Sequence, residues 1–94
     1  MQVRWTTPAA RDLEEITNYI LRDNPTAALP VVTKLFDAAN SLKSLPNRGR
    51  PGRAPGTREL VISNLRFIIV YQVTVESVHI LHIHHGARNW PGYG

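Results

Sequence analysis

Apolar residues recur along this chain with two different spacings. In the first half they return every three or four residues, the spacing of one helix face, in two stretches separated by residues 23–26. The first stretch contains Ala9, Leu13, Ile16 and Ile20, and the second contains Ala28, Val31 or Val32, Leu35, Ala39, Leu42 and Leu45. The pattern predicts two helices joined as a hairpin.

Local signals place the starts of these helices. Thr7 followed by Pro8 is typical of an N-cap and a first helical residue. In the second stretch, Pro30 lies beyond the first turn, where a proline loses a backbone hydrogen bond and clashes with the carbonyl of Thr26. We expect the second helix to start late or to kink at Pro30.

The second half of the chain has the composition of strands. Three runs rich in Val, Ile, Phe and Tyr cover residues 58–63, 66–73 and 78–85, and Val3 and Trp5 alternate with polar neighbours at the start of the chain. The order is therefore β-α-α-β-β-β. It predicts an α+β fold in which the helical hairpin packs on one face of a small, mostly antiparallel sheet, with the other face open.

The same periodicities predict the core. We expect the helices to pack on the sheet through these residues: Ala9, Leu13, Ile16, Leu35, Ala39 and Leu42 from the helices, and Trp5, Leu60, Ile62, Phe67, Ile69, Tyr71, Leu81 and Ile83 from the sheet. Strict alternation along the last strand would put His82 and His84 on the face of Val78 and Ile80. His79 and His85 would then share the other face with Leu81 and Ile83.

Length and composition predict one small domain spanning residues 1–94, because 94 residues with 43% hydrophobic content form a single core. The absence of cysteine excludes a disulfide framework, a thiolate zinc site and a thiol nucleophile, and it suits a reducing compartment. The first residues lack the apolar stretch of a signal peptide, and residues 67–73 are too short to cross a bilayer. We expect a cytoplasmic protein that does not contact membranes.

The formal net charge of +4 is concentrated in the second half. Residues 1–45 carry five basic and five acidic side chains, whereas residues 46–94 carry six arginines against Glu59 and Glu76. Such a surface attracts phosphate or an acidic protein segment, although basic residues also serve solubility. The candidates for binding nucleic acid or a partner are Arg48, Arg50, Arg53 and Arg66.

Three of these arginines lie in residues 46–57, PNRGRPGRAPGT, which predict a loop without helix or strand. Within it, residues 48–51, RGRP, match the short core of an AT-hook, a disordered peptide that lies in the minor groove. A loop that must close between a helix and a strand is a poor setting for such a peptide.

The histidines of the last run allow two kinds of site. A His-x-His pair on a strand can bind zinc, but no third ligand lies nearby in the sequence, so we predict no metal and no cofactor. A metal-free ribonuclease needs an acid, a base and cations for the developing phosphorane charge, and His85, Arg58 and Arg88 are the candidates. A structural His85, with arginines that bind a partner's acids, explains the same residues.

Several short motifs, in order, resemble the RelE/ParE superfamily of bacterial toxins over about residues 3–91. They are Leu13-Glu14-x-Ile16, Gly56-x-Arg58-Glu59, Ile69-Val70-Tyr71 with Val73, and Ile80-Leu81-x-Ile83-x-His85-x-x-Arg88. The resemblance implies the toxin of a type II toxin–antitoxin pair, neutralised by a cognate antitoxin, with operator DNA reached only through that antitoxin.

The family divides by target, and the resemblance leaves three functions open. The Gly-x-Arg-Glu strand start and the His-x-x-Arg-x-x-Pro ending resemble the ParE branch, whose members poison DNA gyrase and are often called plasmid stabilisation proteins. The RelE branch cleaves messenger RNA in the ribosome with several lysines and arginines and often a tyrosine near the C-terminus. Here the lysines are Lys34 and Lys43, both in the second helical stretch, and Tyr93 lies in a glycine-rich tail. The third possibility is a family member that has lost its toxicity.

Overall fold

The fold has one more strand than the sequence predicts. A computed structural model describes residues 1–86, and the candidate Arg88 therefore lies outside the described residues. Its elements are β1 (Gln2–Trp5), α1 (Thr7–Asp23), α2 (Pro25–Ser41), β2 (Arg50–Pro51), β3 (Arg58–Ile62), β4 (Phe67–Val73) and β5 (Ser77–His85). The strand order in the sheet is β1-β5-β4-β3-β2, with β1 parallel to β5 and the other pairs antiparallel. The predicted α+β class and element order are confirmed.

Helix α1 and its cap begin one residue earlier than predicted. Thr6 is the N-cap, in an extended conformation, and its hydroxyl accepts a hydrogen bond from the backbone N–H of Ala9 at 3.3 Å. The Thr6 hydroxyl also donates to the carbonyl of Ile80 at 2.7 Å. The expectation of Thr7 as the cap is wrong because Thr6 both caps α1 and ties the cap to β5.

Helix α2 begins at once after the hairpin turn and contains Pro30. Pro25 opens the helix, so the expected late start is wrong, and the helical segment continues through Pro30 to Ser41. Packing accounts for this tolerance, since Ala28, Leu35 and Ala39 are buried on either side of the proline. Neither α1 nor α2, within the part of the chain described, is long and apolar enough to cross a membrane.

The core lies between the helical hairpin and one face of the sheet. The predicted helix residues Ala9, Ile16, Leu35, Ala39 and Leu42 are buried, and Leu13 packs partly buried against them. From the sheet, the buried residues of this cluster are Leu60, Phe67, Ile69, Tyr71, Val78, Ile80 and Ile83. The prediction of Leu81 as a core residue is wrong, because Val78 and Ile80 occupy that part of the face.

A β-bulge in β5 explains the error at Leu81 and reassigns the histidines. Val70 pairs with His82 and Tyr71 pairs with Ile80, so Leu81 is an extra residue without a partner on β4. Beyond the bulge the alternation shifts by one residue, and Ile83 joins Ile80 on the core face.

The shift changes which histidines share a face. The buried apolar residues of β5, Val78, Ile80 and Ile83, are on the face toward the helices, and the histidines that alternate with them are on the other face. Three histidines therefore lie on the face away from the helices: His79, His82 and His84. His85 alone shares the core face with Ile83. The expected division into two pairs is wrong, because a period of two cannot anticipate an inserted residue.

Candidate functional site

The candidate residues divide between two ends of the antiparallel strands β3, β4 and β5. One end, which we call the loop end, consists of residues 46–59 with Tyr71 from β4. The other, which we call the turn end, consists of residues 63–67 with residues 82–86 from the end of β5. The two ends use their polar groups differently.

At the loop end, Tyr71 fastens the basic loop to the sheet. Its side chain is fully buried, and its hydroxyl accepts a hydrogen bond from the N–H of Gly49 at 2.8 Å and donates one to the carbonyl of Pro46 at 2.7 Å. A Cβ at Gly49 would lie 2.7 Å from this hydroxyl and 2.9 Å from the carbonyl oxygen of Glu59. Glycine is therefore required where the loop crosses the tyrosine.

Glu59 is a second anchor of the same loop. Its side chain is 3% exposed, accepts from the guanidinium of Arg50 at 3.1 Å, and accepts from the N–H of Arg53 at 3.2 Å. A buried carboxylate is stable only when such donors surround it. Glu59 therefore sets the path of residues 50–53.

The remaining arginines of the loop end also bond within the protein. Arg48 donates to the hydroxyl of Ser41 at 2.9 Å, and Arg58 donates to the carbonyl of Gly49 at 2.7 Å. Arg50 and Pro51 form strand β2 on β3, so the expectation of a loop without strand is wrong at these two residues. This ordered pairing also contradicts the AT-hook interpretation, which requires a disordered peptide.

At the turn end, residues 63–66 connect β3 to β4 and contact the end of β5. Arg66 is exposed and has a positive φ of 60°. Its carbonyl accepts a hydrogen bond from the N–H of Gly86 at 2.5 Å. The next residue, Phe67, meets the imidazole of His85 edge to face, with ring centroids 4.9 Å apart. Turn and strand end thus form one corner.

Asp12 ties the end of β5 to helix α1. Strand β1 covers β5 only as far as Ile80, and beyond it one Asp12 oxygen accepts from the N–H of Ile83 at 3.0 Å and lies 3.0 Å from Nδ1 of His82. The carboxylate replaces the missing neighbouring strand at this edge. Asp12 lies beyond the first turn of α1, so its role is this contact with β5 rather than an interaction with the helix dipole.

His84 is a titratable group at the turn end whose pKa is shifted by its surroundings. Burial, and next the neighbouring His82, lower the pKa of His84 from its ordinary value of 6.5, while Asp12 and Glu59 act in the opposite direction. The rings of His82 and His84 stack with centroids 5.4 Å apart. His84 is therefore neutral at pH 7, and its imidazole contributes no positive charge to the surface.

Two of the three predicted nuclease residues, Arg58 and His85, lie far apart, and the third, Arg88, lies outside the described residues. Arg58 pairs with Tyr71 at one end of β4, and His85 pairs with Phe67 at the other. Four residues along β4 and two strand spacings separate them, which corresponds to roughly 16 Å. An acid or base must lie about 3 Å from the atom it serves, and a cation must touch the same phosphate. The guanidinium of Arg58 instead donates to the carbonyl of Gly49 at the loop end.

An apolar groove lies on the helical layer. It has a volume of about 430 Å³ and is lined mainly by α1 and α2 with Trp5 of β1. Phe36 of α2 stacks on Trp5 with ring centroids 6.0 Å apart and is still 46% exposed. Elsewhere on α2, Leu29 is 76% exposed. The groove suits an apolar segment of a partner.

No group of three or more His, Asp or Glu side chains within residues 1–86 is arranged to hold a metal ion. The sequence did not indicate three side chains that anchor the two ends: the Tyr71 hydroxyl, the Glu59 carboxylate and Asp12. The Gly56-x-Arg58-Glu59 motif contained the only available signal for Glu59. Nothing in the spacing shows that Tyr71 or Asp12 reaches a distant backbone group.

The chain is similar in sequence to known toxins over nearly its whole length. Residues 3–90 match the family model described as the ParE toxin of the type II toxin-antitoxin system parDE. A putative toxin, Y4kP of Sinorhizobium fredii, is 42% identical over 90 residues, which cover 96% of this chain and 93% of that protein. Toxin RelE2 of Caulobacter vibrioides is 42% identical over 87 residues, covering 93% and 97%.

Solved structures show the same arrangement. A chain of the chromosomal ParDE TA system from P. aeruginosa matches with a TM-score of 0.83 and 30% identity, covering 90% of this chain and 95% of that one. A chain of the RelBE2 toxin-antitoxin complex from Mycobacterium tuberculosis matches with a TM-score of 0.58 and 27% identity, covering 89% and 95%. The chain belongs to the ParE toxins of type II toxin–antitoxin systems, within the RelE/ParE superfamily.

Proposed function

We propose that this toxin arrests growth by binding and poisoning DNA gyrase, and that a cognate antitoxin neutralises it. The separation of Arg58 from His85 carries the choice of target, because it parts the predicted acid–base residue of a nuclease from one of its two predicted cations. The higher TM-score of the ParDE chain, 0.83 against 0.58 for the RelBE2 chain, supports the same branch.

A ribosome-dependent endonuclease is the second candidate. Relatives named RelE2 and RelE1 in Caulobacter vibrioides are 42% and 34% identical to this chain. At the turn end, the backbone of Arg66 lies beside that of residues 85–86, so an arginine adjoins the residue that carries one imidazole. A member without toxicity is the third candidate.

Expression of the chain alone tests the target directly. A gyrase poison stops growth, induces DNA damage signalling, and makes purified gyrase accumulate cleaved DNA, while messenger RNA on ribosomes stays intact. Discrete cleavage of ribosome-bound messages without any effect on gyrase would establish the nuclease instead. Normal growth with folded protein present would establish the loss of toxicity.

We assign the antitoxin to the apolar groove, with an amphipathic segment as the part that binds. Its binding raises the melting temperature of the toxin by mass action on the folded state. Phe36→Glu places a charge in the groove and should abolish the complex with the product of the adjacent gene. Leu45→Glu is the matched control, because Leu45 is 59% exposed and does not line the groove. Equal binding by both variants would overturn this assignment.

A further inference from the structure

Arg66 adopts a backbone conformation that arginine rarely accepts. Its φ of 60° lies in the left-handed region, where the Cβ of an ordinary side chain is crowded by the following carbonyl. It is the only residue other than glycine with a positive φ within residues 1–86. Glycine or asparagine would fit this turn with less strain, so an arginine there points to a use for its side chain.

The guanidinium of Arg66 is available to an external ligand. The side chain is exposed, and the described residues give its guanidinium no hydrogen bond or ion pair. By contrast, the guanidinium groups of Arg48, Arg50 and Arg58 all donate to groups of the protein itself. Among the predicted binding arginines, Arg66 therefore stands apart.

The surroundings of Arg66 favour an anion. Its carbonyl bonds to Gly86, so the turn is fixed beside His85, whose ring rests against Phe67. Residues 60–86 contain a single acidic side chain, Glu76, which follows β4 and so lies at the opposite end of the strands. No carboxylate of this segment competes for the guanidinium, and Asp12 of α1, which also reaches the turn end, already accepts from the N–H of Ile83.

We infer that Arg66 and His85 form a phosphate-binding corner that holds the backbone of a nucleic acid. Guanidinium binds phosphate oxygens bidentately, and imidazole can donate a further hydrogen bond. Such contacts position a nucleic acid without reading its sequence. The inference goes beyond gyrase binding, since a toxin that acted through protein contacts alone would not need this corner.

A phosphate fits the corner better than the carboxylate of a protein partner. Binding hot spots between proteins place arginine among buried apolar side chains. Near this turn, Val61 on β3 is 42% exposed, and Leu65 and Ile62 are already packed against the core. A phosphate backbone needs accessible positive charge and no apolar surround.

Salt-dependent binding tests the corner. The purified toxin is titrated into a labelled DNA duplex and, separately, a labelled single-stranded RNA at several salt concentrations. Arg66→Asn should reduce the steepness of log affinity against log salt by about 0.9 on the duplex or about 0.7 on RNA. When salt is diluted tenfold, the affinity of the variant should therefore rise about eightfold less than that of the wild type on the duplex, or about fivefold less on RNA. The nucleic acid that shows the loss identifies the source of the phosphate.

Matched variants separate binding from folding. Arg22→Gln removes the same charge from the exposed end of α1 and should leave the slope unchanged. Arg66→Lys keeps the charge and should retain the slope. Because asparagine tolerates the left-handed region, Arg66→Asn should melt at or above the temperature of the wild type. If Arg66 were a structural residue, its replacement would instead lower the melting temperature.

An unchanged slope for Arg66→Asn on both nucleic acids would overturn the corner. If the same variant also bound gyrase more weakly, Arg66 would be assigned to a protein carboxylate instead. The proposed target is judged separately, because the cleaved-DNA assay with gyrase uses the wild type and does not depend on the slope of Arg66→Asn.

Discussion

The loop end and the turn end carry similar residues and use them in opposite ways. At the loop end, arginine side chains point to acceptors of the protein itself, such as the buried Glu59 and the carbonyl of Gly49. At the turn end, Arg66 bonds to Gly86 through its backbone carbonyl, and its side chain remains exposed. Positive charge counted along a sequence is thus different from positive charge that a ligand can reach.

The largest expected effect tests the anchoring of the loop end. Tyr71→Phe removes the hydroxyl that joins Gly49 to Pro46 and leaves both backbone groups without that partner. We expect the free energy of unfolding to fall by about 2 kcal/mol, measured by urea denaturation. Tyr19→Phe is the control, because Tyr19 is 46% exposed and water can replace a lost contact. Equal losses for both variants would show that the loop end is not anchored through Tyr71.

The next effect concerns the turn end. Asp12→Ala leaves the N–H of Ile83 without its acceptor and should cost about 1 to 2 kcal/mol in the same measurement. Asp12→Asn keeps an oxygen in place and should recover most of this loss, since the ion pair with half-exposed His82 contributes little. Glu15→Ala on the exposed side of α1 should change little. If Asp12→Asn were as unstable as Asp12→Ala, the negative charge of Asp12, rather than its hydrogen bond to Ile83, would be the source of the stability.

Sequence periodicity predicted the helices and the layer arrangement because both depend on long repeated patterns. Helix core residues such as Leu35 and Ala39 recur over several turns, so one irregularity such as Pro30 does not change the assignment. Strand faces depend on a period of two, and the single extra residue Leu81 reversed the faces assigned to Val78, His79 and Ile80.

The site was less predictable because its contacts join residues far apart in the chain. Asp12 meets Ile83, and Tyr71 meets Gly49, through side chains whose reach has no periodic signature. The sequence did place His85 and Arg66 among the candidates by their chemistry. It could not show that Arg58 and His85 lie at opposite ends of β4, since that depends on register.

A smaller effect concerns the response of the turn end to pH. The folded state lowers the pKa of His84, chiefly through burial, so the unfolded chain binds a proton more readily. Stability should therefore be full above the unfolded value of 6.5 and should fall as pH drops below it. In His84→Phe, which keeps an aromatic ring beside His82, the melting temperature should fall less on acidification. Identical acid responses would remove His84 as a cause.

The smallest expected effect is on toxicity, and it separates a binding residue from a catalytic one. If His85 only contacts a ligand, His85→Ala should cost roughly 1 to 2 kcal/mol of binding, and toxicity should persist at high expression. If His85 transfers a proton in an endonuclease, the same change should reduce the rate about 100-fold to 10,000-fold. His85→Phe keeps an aromatic side chain against Phe67 but cannot transfer a proton. We expect both variants to stop growth once each is shown to melt normally and to bind antitoxin. Loss of toxicity and of messenger RNA cleavage in both variants would establish the nuclease. The two variants pack differently against Phe67, and the property that both lack is proton transfer.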